Sequence, residues 1–103
     1  MFLDGLVYSS KVSVDQVQAV RQVQTHLGTE KTPTTQLIDK TIHMSWDTDR
    51  YHFDVEVGSD GLLEWFFRDR QNEELAGSED ERLSNLPEHA IRLFKRVFVR
   101  GVT

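Results

Sequence analysis

Residues 51–70 read YHFDVEVGSDGLLEWFFRDR, and this stretch decides the fold. Apolar side chains recur at every second position on both sides of a Gly-Ser-Asp-Gly segment, which is the pattern of two half-buried β-strands joined by a turn. A loop over residues 59–61 places its last glycine where a positive φ closes such a hairpin. A two-residue Asp-Gly turn would set Val57 opposite Glu64 and mix apolar and polar residues on each face. We therefore predict the three-residue loop, with Val57 opposite Leu63.

The alternation extends to the chain on the N-terminal side of this hairpin. The apolar residues that share one parity there are Ile38, Ile42, Met44 and Trp46. A four-residue loop at residues 47–50 pairs Trp46 with Tyr51, so that a third strand joins the sheet. The pattern predicts an antiparallel meander of three to four strands, at about residues 36–46, 50–58 and 62–70, with an optional edge strand at about 71–76.

Two amphipathic helices flank the predicted sheet. Ser13 followed by Gln16 forms a capping box and Gly28 is a helix terminator, so an N-terminal helix is predicted at about residues 14–27. A C-terminal helix is predicted at about residues 86–97. Its broad apolar face is expected to cover the apolar face of the sheet. The sequence leaves open which face of the sheet the N-terminal helix covers.

Composition narrows the classes of function. A length of 103 residues predicts a single α+β domain over residues 1–103. Cysteine is absent, which excludes disulfides, thiolate nucleophiles and Cys-ligated zinc. With neither a secretory leader nor a run of about 20 apolar residues, we expect a cytoplasmic protein with no membrane partner. A net charge of −5 disfavours nucleic acid as a partner, and no cofactor is predicted.

The polar face of the predicted sheet carries the candidate binding residues. Phe66 lies there opposite Asp54, with Glu64 and Arg68 on its own strand. Aromatic and arginine side chains dominate the energetics of protein interfaces. We therefore predict a binding surface formed by Phe66, Arg68, Arg70, Asp54 and Glu64. The alternative is that the N-terminal helix covers Phe66 and the domain becomes a sandwich.

The same face supports a metal or a hydrolytic interpretation. The predicted register sets His43 opposite Asp54 and Ser45 opposite His52. Two imidazoles with carboxylates are a ligand set for Zn²⁺, and the candidate ligands are His43, His52, Asp54 and Glu56. Serine, histidine and aspartate are also the residue types of a serine triad. Because no spacing motif supports either, no catalytic residue is assigned, and a solvated face with cross-strand charge pairs is the simpler interpretation.

These patterns favour an interaction module over an enzyme. By analogy with other small domains, we predict a protein–protein interaction module, such as a bacterial or phage regulator that inhibits a larger protein as an immunity, antitoxin or anti-defence factor. The predicted partner is another protein, and a homodimer is the second option because strand edges and amphipathic helices allow self-association. The alternative function is a small metal-dependent binder or hydrolase that uses the His/Asp/Glu face.

Overall fold

A computed structural model describes residues 12–28, 32–78 and 81–99 of the chain. The elements in chain order are α1 (Val14–Leu27), β1 (Thr34–Ile38), β2 (Thr41–Asp47), β3 (Tyr51–Val57), β4 (Leu63–Asp69), β5 (Glu74–Gly77) and α2 (Glu88–Phe98). The strands form one antiparallel sheet in the order β1-β2-β3-β4-β5. The predicted α+β meander is therefore confirmed, with five strands in place of three to four.

The first residue of each helix is determined by the residues that directly precede it or cap it. The Ser13 Oγ accepts a hydrogen bond from the Gln16 amide at 3.0 Å, and the Gln16 Oε1 accepts from the Ser13 amide at 3.3 Å. This capping box and the positive φ of Gly28 (83°) give α1 the predicted bounds. Helix α2 begins at Glu88 because the backbone at Pro87 is still extended, two residues later than predicted.

The predicted strand at residues 36–46 is two strands. Asp39 and Lys40 have φ values of 50° and 67° and form a two-residue turn between β1 and β2. Positive φ at both central residues gives a hairpin turn whose twist matches that of the flanking strands. The turn places Leu37 against the core and leaves Ile38 47% exposed on the other face. Ile38 shares the sequence parity of Ile42 but lies on the opposite face of the sheet, because the turn reverses the parity.

The turn between β2 and β3 is shorter than predicted. The Thr48 amide donates to the Tyr51 carbonyl at 2.8 Å, so only two residues lie between them. Trp46 consequently pairs with Phe53 and not with Tyr51. The displacement is two residues, and an even displacement keeps every side chain on its own face. The predicted face assignment therefore holds, whereas the predicted partners across β2 and β3 were wrong.

The hairpin of β3 and β4 has the predicted register. Gly61 has a φ of 81°, and the Gly58 amide donates to the Leu62 carbonyl at 2.9 Å. Val57 lies opposite Leu63. A single glycine with positive φ thus sets the alignment of both central strands.

Both helices pack on the apolar face of the sheet. Of the ten residues on the predicted apolar face, all are buried except Tyr51, which packs against the core at its margin. The ten residues are Ile42, Met44, Trp46, Tyr51, Phe53, Val55, Val57, Leu63, Trp65 and Phe67. The ring of Phe94 in α2 meets the edges of Trp46 and Phe53 at centroid distances of 5.1 and 5.3 Å. Full burial of such a side chain contributes about 1.5–3 kcal/mol. Within residues 12–28, 32–78 and 81–99, neither helix has the length and apolar content that crossing a bilayer requires.

A buried amide ties α1 to this face. The Gln16 side chain is fully buried, and its Nε2 donates to the carbonyls of Lys40 and Val57 at 2.8 Å each. These bonds join the first turn of α1 to the β1–β2 turn and to the end of β3. Since α1 lies on the apolar face with α2, neither helix covers the polar face.

Candidate functional site

The face of the sheet turned away from the helices, here called the outer face, is polar. Its residues on β2, β3 and β4 are Thr41, His43, Ser45, His52, Asp54, Glu56, Glu64, Phe66 and Arg68. Arg68 is exposed and the others are half-buried by their neighbours in the sheet. The question that the sequence left open is thereby answered, since the structure leaves Phe66 uncovered by α1.

Two histidine–carboxylate pairs occupy one side of the outer face. The His43 Nδ1 lies 2.9 Å from the Glu56 Oε1. The His52 Nε2 lies 2.8 Å from the Asp54 Oδ2, and its Nδ1 lies 3.4 Å from an oxygen of Asp47. His43 is opposite Glu56 and not opposite Asp54 as predicted, because of the two-residue displacement between β2 and β3.

This pairing divides the candidate metal ligands into two separate couples. Among the residues that the structure describes, no group of three or more His, Cys, Asp or Glu side chains could hold a metal ion. Ser45 was predicted opposite His52 but lies opposite Asp54. In the described ranges Ser45 also makes no hydrogen bond to either histidine, and such a bond is the first requirement of a serine triad.

Arg70, a predicted binding residue, makes its hydrogen bonds at the end of the sheet, with the β2–β3 turn. Its Nη1 donates to the Thr48 carbonyl at 2.7 Å and its Nη2 to the Asp47 Oδ1 at 2.9 Å. This hydrogen bond from Arg70 is the main cause that lowers the pKa of Asp47. Arg70 therefore holds the β2–β3 turn, and the structure does not bring it together with Phe66.

Phe66 stands in an open groove between the outer face and β5. This cavity of about 350 Å³, here called the Phe66 groove, is lined by Asp54, Glu56, Glu64, Trp65, Phe66, Leu75, Ala76 and Gly77. Three predicted binding residues thus come together in one groove. Arg68 lies next to it on the same strand, opposite Leu75.

The contribution of β5 to the Phe66 groove was not predicted from the sequence. Leu75 is 63% exposed, and it lines the groove together with Gly77. At Gly77 the two backbones approach so closely that an added Cβ would lie 2.8 Å from the Trp65 carbonyl oxygen. The available signal was the short Leu-Ala-Gly sequence within an otherwise polar stretch.

The two charges that flank Phe66 have no partner. Within the described part of the chain, neither Glu64 nor Arg68 makes a hydrogen bond or an ion pair, in contrast to the neighbouring histidine couples. Glu64 also lies directly opposite Glu56. Like charges at directly opposed positions destabilise a sheet.

Comparison with protein families, curated proteins and solved structures finds no match to this chain.

Proposed function

We propose that this chain is a protein–protein interaction module whose contact surface is the outer face centred on Phe66. The observation that carries the proposal is the sequence of side chains along β4. A half-buried aromatic stands beside an open groove between Glu64 and Arg68, two charges that have no partner among the residues that the structure describes. Aromatic and arginine anchors of this kind supply most of the binding free energy at protein interfaces.

The electrostatics of the outer face support this function over a merely solvated surface. A solvated sheet face gains stability when polar side chains pair across strands, as the His43 imidazole does with the Glu56 carboxylate. Glu64 instead faces a like charge, an arrangement that destabilises the isolated domain. A residue that lowers the stability of the fold while remaining at the surface is typical of a site under selection for function.

A module of this size acts by occupying a surface of a larger protein. Immunity proteins, antitoxins and inhibitors of defence systems work in this manner, and the likeness is one of size and class alone. We therefore place the chain with regulators that bind and inhibit a larger protein.

Site-specific photo-crosslinking tests the proposal directly. A photoreactive amino acid replaces Arg68 on the outer face in one sample and Arg92 on α2, which is also exposed, in a second sample. Both are irradiated in lysate of the native host and analysed by mass spectrometry. We expect one discrete protein adduct from position 68 and none from position 92.

Substitution of the anchor then checks that the adduct depends on the groove. Phe66→Ala should abolish the adduct from position 68. Val14→Ala removes another exposed apolar side chain, on α1, and should leave it unchanged. Equal adducts from both positions, or an adduct that survives Phe66→Ala in a folded chain, would contradict the proposal.

A further inference from the structure

The edge of the sheet beside the Phe66 groove is open. In the described ranges β5 pairs with β4 alone. A strand with one unpaired side presents backbone N–H and C=O groups that a second chain can use.

The register shows which groups of β5 point outward. Hydrogen-bonded and non-hydrogen-bonded pairs alternate along an antiparallel ladder. The Ser78 amide donates to the Trp65 carbonyl at 3.0 Å, so Ser78 and, two residues earlier, Ala76 direct their backbone groups toward β4. Leu75 and Gly77 therefore direct their N–H and C=O groups toward the free edge.

The same two residues line the Phe66 groove. A strand added to β5 would place alternate side chains on the outer face, next to Leu75 and Phe66. In this binding mode backbone hydrogen bonds give affinity and pockets for alternate side chains give specificity. The edge and the groove thus form one continuous surface.

The charge of the groove selects the side chain that enters it. Asp54, Glu56 and Glu64 line it, and no basic residue is among its lining side chains. Asp54 and Glu56 each have a histidine partner, which leaves the Glu64 carboxylate available. A lysine or arginine complements this charge and gains further attraction over the face of an aromatic ring.

We propose that an extended segment of a protein partner adds as a strand to β5 and inserts a lysine or arginine side chain into the Phe66 groove against Glu64. This inference rests on the proposed function, because it names the chemistry of the partner that the outer face binds.

The charge of the groove also favours a basic partner over a second copy of this chain. Pairing of β5 with β5 of another copy would bring two acidic grooves together, and each chain carries a net charge of −5. Repulsion between such surfaces opposes the contact.

A titration of the ¹⁵N-labelled full chain, followed by NMR, tests the inference with defined probes. One probe is a capped peptide of alternating lysine and valine, and the control is a peptide of the same length with glutamate for lysine. The lysine peptide should shift the amides of Leu75, Gly77 and Phe66, and the glutamate peptide should leave them in place. No shifts, scattered shifts or equal shifts from both peptides would overturn the inference.

Two variants separate strand addition from simple charge attraction. Leu75→Pro removes an outward N–H that the β4 ladder does not use, whereas Leu75→Ala retains that N–H. We expect Leu75→Pro to bind the lysine peptide about tenfold more weakly than Leu75→Ala does. Glu64→Gln should weaken binding about tenfold, and Glu88→Gln on α2 should not. If Leu75→Pro does not fold, the comparison of Glu64→Gln with Glu88→Gln still tests the inference.

The outcomes distinguish the inference from the proposed function. Peptide binding that is unaffected by both Leu75→Pro and Glu64→Gln overturns the inference, while an adduct at position 68 that depends on Phe66 keeps the proposed function. If position 68 gives no adduct when Phe66 is intact, the proposed function is overturned by itself. A dimer in analytical ultracentrifugation that Leu75→Pro abolishes would assign the β5 edge to a second copy.

Discussion

Strand β4 presents its odd-numbered residues to the core and its even-numbered residues to the outer face. Trp65 and Phe67 are buried and pack against other rings. Phe66 lies between them in sequence, yet its neighbours along the outer face of the strand are Glu64 and Arg68, which have no partner within residues 12–28, 32–78 and 81–99. The two faces of β4 therefore differ in what they contribute. The core face packs and stabilises the fold, whereas the outer face carries an aromatic ring and two charges that the fold does not need.

The largest expected effect comes from exchanging a ring on each face for alanine. Phe53 is fully buried against Trp46, Trp65 and Phe94, so Phe53→Ala should lower the free energy of unfolding by about 3–5 kcal/mol. Phe66→Ala should lower it by about 1 kcal/mol or less, because the ring packs on one side only. Urea denaturation measures both values. Equal losses would show that Phe66 is a core residue.

The second prediction concerns Gln16, a buried polar residue between α1 and the apolar face of the sheet. Gln16→Leu preserves volume but removes both donors to the carbonyls of Lys40 and Val57. Leaving buried acceptors unsatisfied should lower the free energy of unfolding by about 1–3 kcal/mol. Gln18→Leu, at an exposed position of α1, is the control and should change it by less than about 0.5 kcal/mol. A neutral Gln16→Leu would mean that the amide does not hold α1 in place.

Substitution of Gly77 tests how closely β5 must approach β4. An alanine Cβ would lie 2.8 Å from the Trp65 carbonyl oxygen, so β5 must shift outward. We expect Gly77→Ala to lower the free energy of unfolding by about 1–2 kcal/mol and to speed amide hydrogen exchange at Ala76. An unchanged exchange rate at Ala76 would show that the strands tolerate the methyl group without moving.

The last prediction concerns Asp69, whose contribution to stability is present at neutral pH and is lost in acid. Its carboxylate accepts from the Nε and Nη2 of Arg50 at 3.0 and 3.1 Å and from the amides of Gln71 and Asn72. The hydrogen bond from Arg50 is the main cause that lowers the pKa of Asp69. A lowered pKa in the folded state contributes stability above the unfolded value of about 3.9, and this stability is lost as pH falls through the folded value.

Thermal unfolding between about pH 2 and pH 6 measures this contribution. The melting temperature of the wild-type chain should fall as the pH drops below about 4, and Asp69→Asn should make that fall shallower. Arg50→Ala should have the same effect on the slope, because it removes the main cause of the lowered pKa. Variants whose curves run parallel to the wild-type curve would exclude Asp69 as a source of acid sensitivity.

The parts of the fold that follow from nearest neighbours were predictable. The bounds of α1 depend on the Ser13–Gln16 capping box, and the register of β3 and β4 depends on Gly61. The β1–β2 turn was missed because Asp39 and Lys40 are not the Asn-Gly or Asp-Gly pair that marks such hairpins. The Lys40 carbonyl is held by a side chain from α1, a contact that no local pattern contains.

Some residues of the candidate site were likewise predictable from local sequence, and others were not. Phe66, Asp54 and Glu64 were placed together because strand parity determines which residues share a face. Leu75 was missed because a short edge strand of two or three apolar residues lacks the length that period-two analysis needs. The hydrogen bonds from Arg70 to Thr48 and Asp47 could not be predicted, because they depend on the β2–β3 turn, whose length the local pattern did not determine.

The order of the strands also determines how the chain reaches this structure. Every strand pairs with its neighbour in sequence, so each hairpin forms by closing a short loop, and short loops close fast. The bonds from Gln16 to Lys40 and Val57 instead span 24 and 41 residues. We therefore expect the hairpins to form before α1 docks, with φ-values in folding kinetics that are high near Gly61 and low at Gln16.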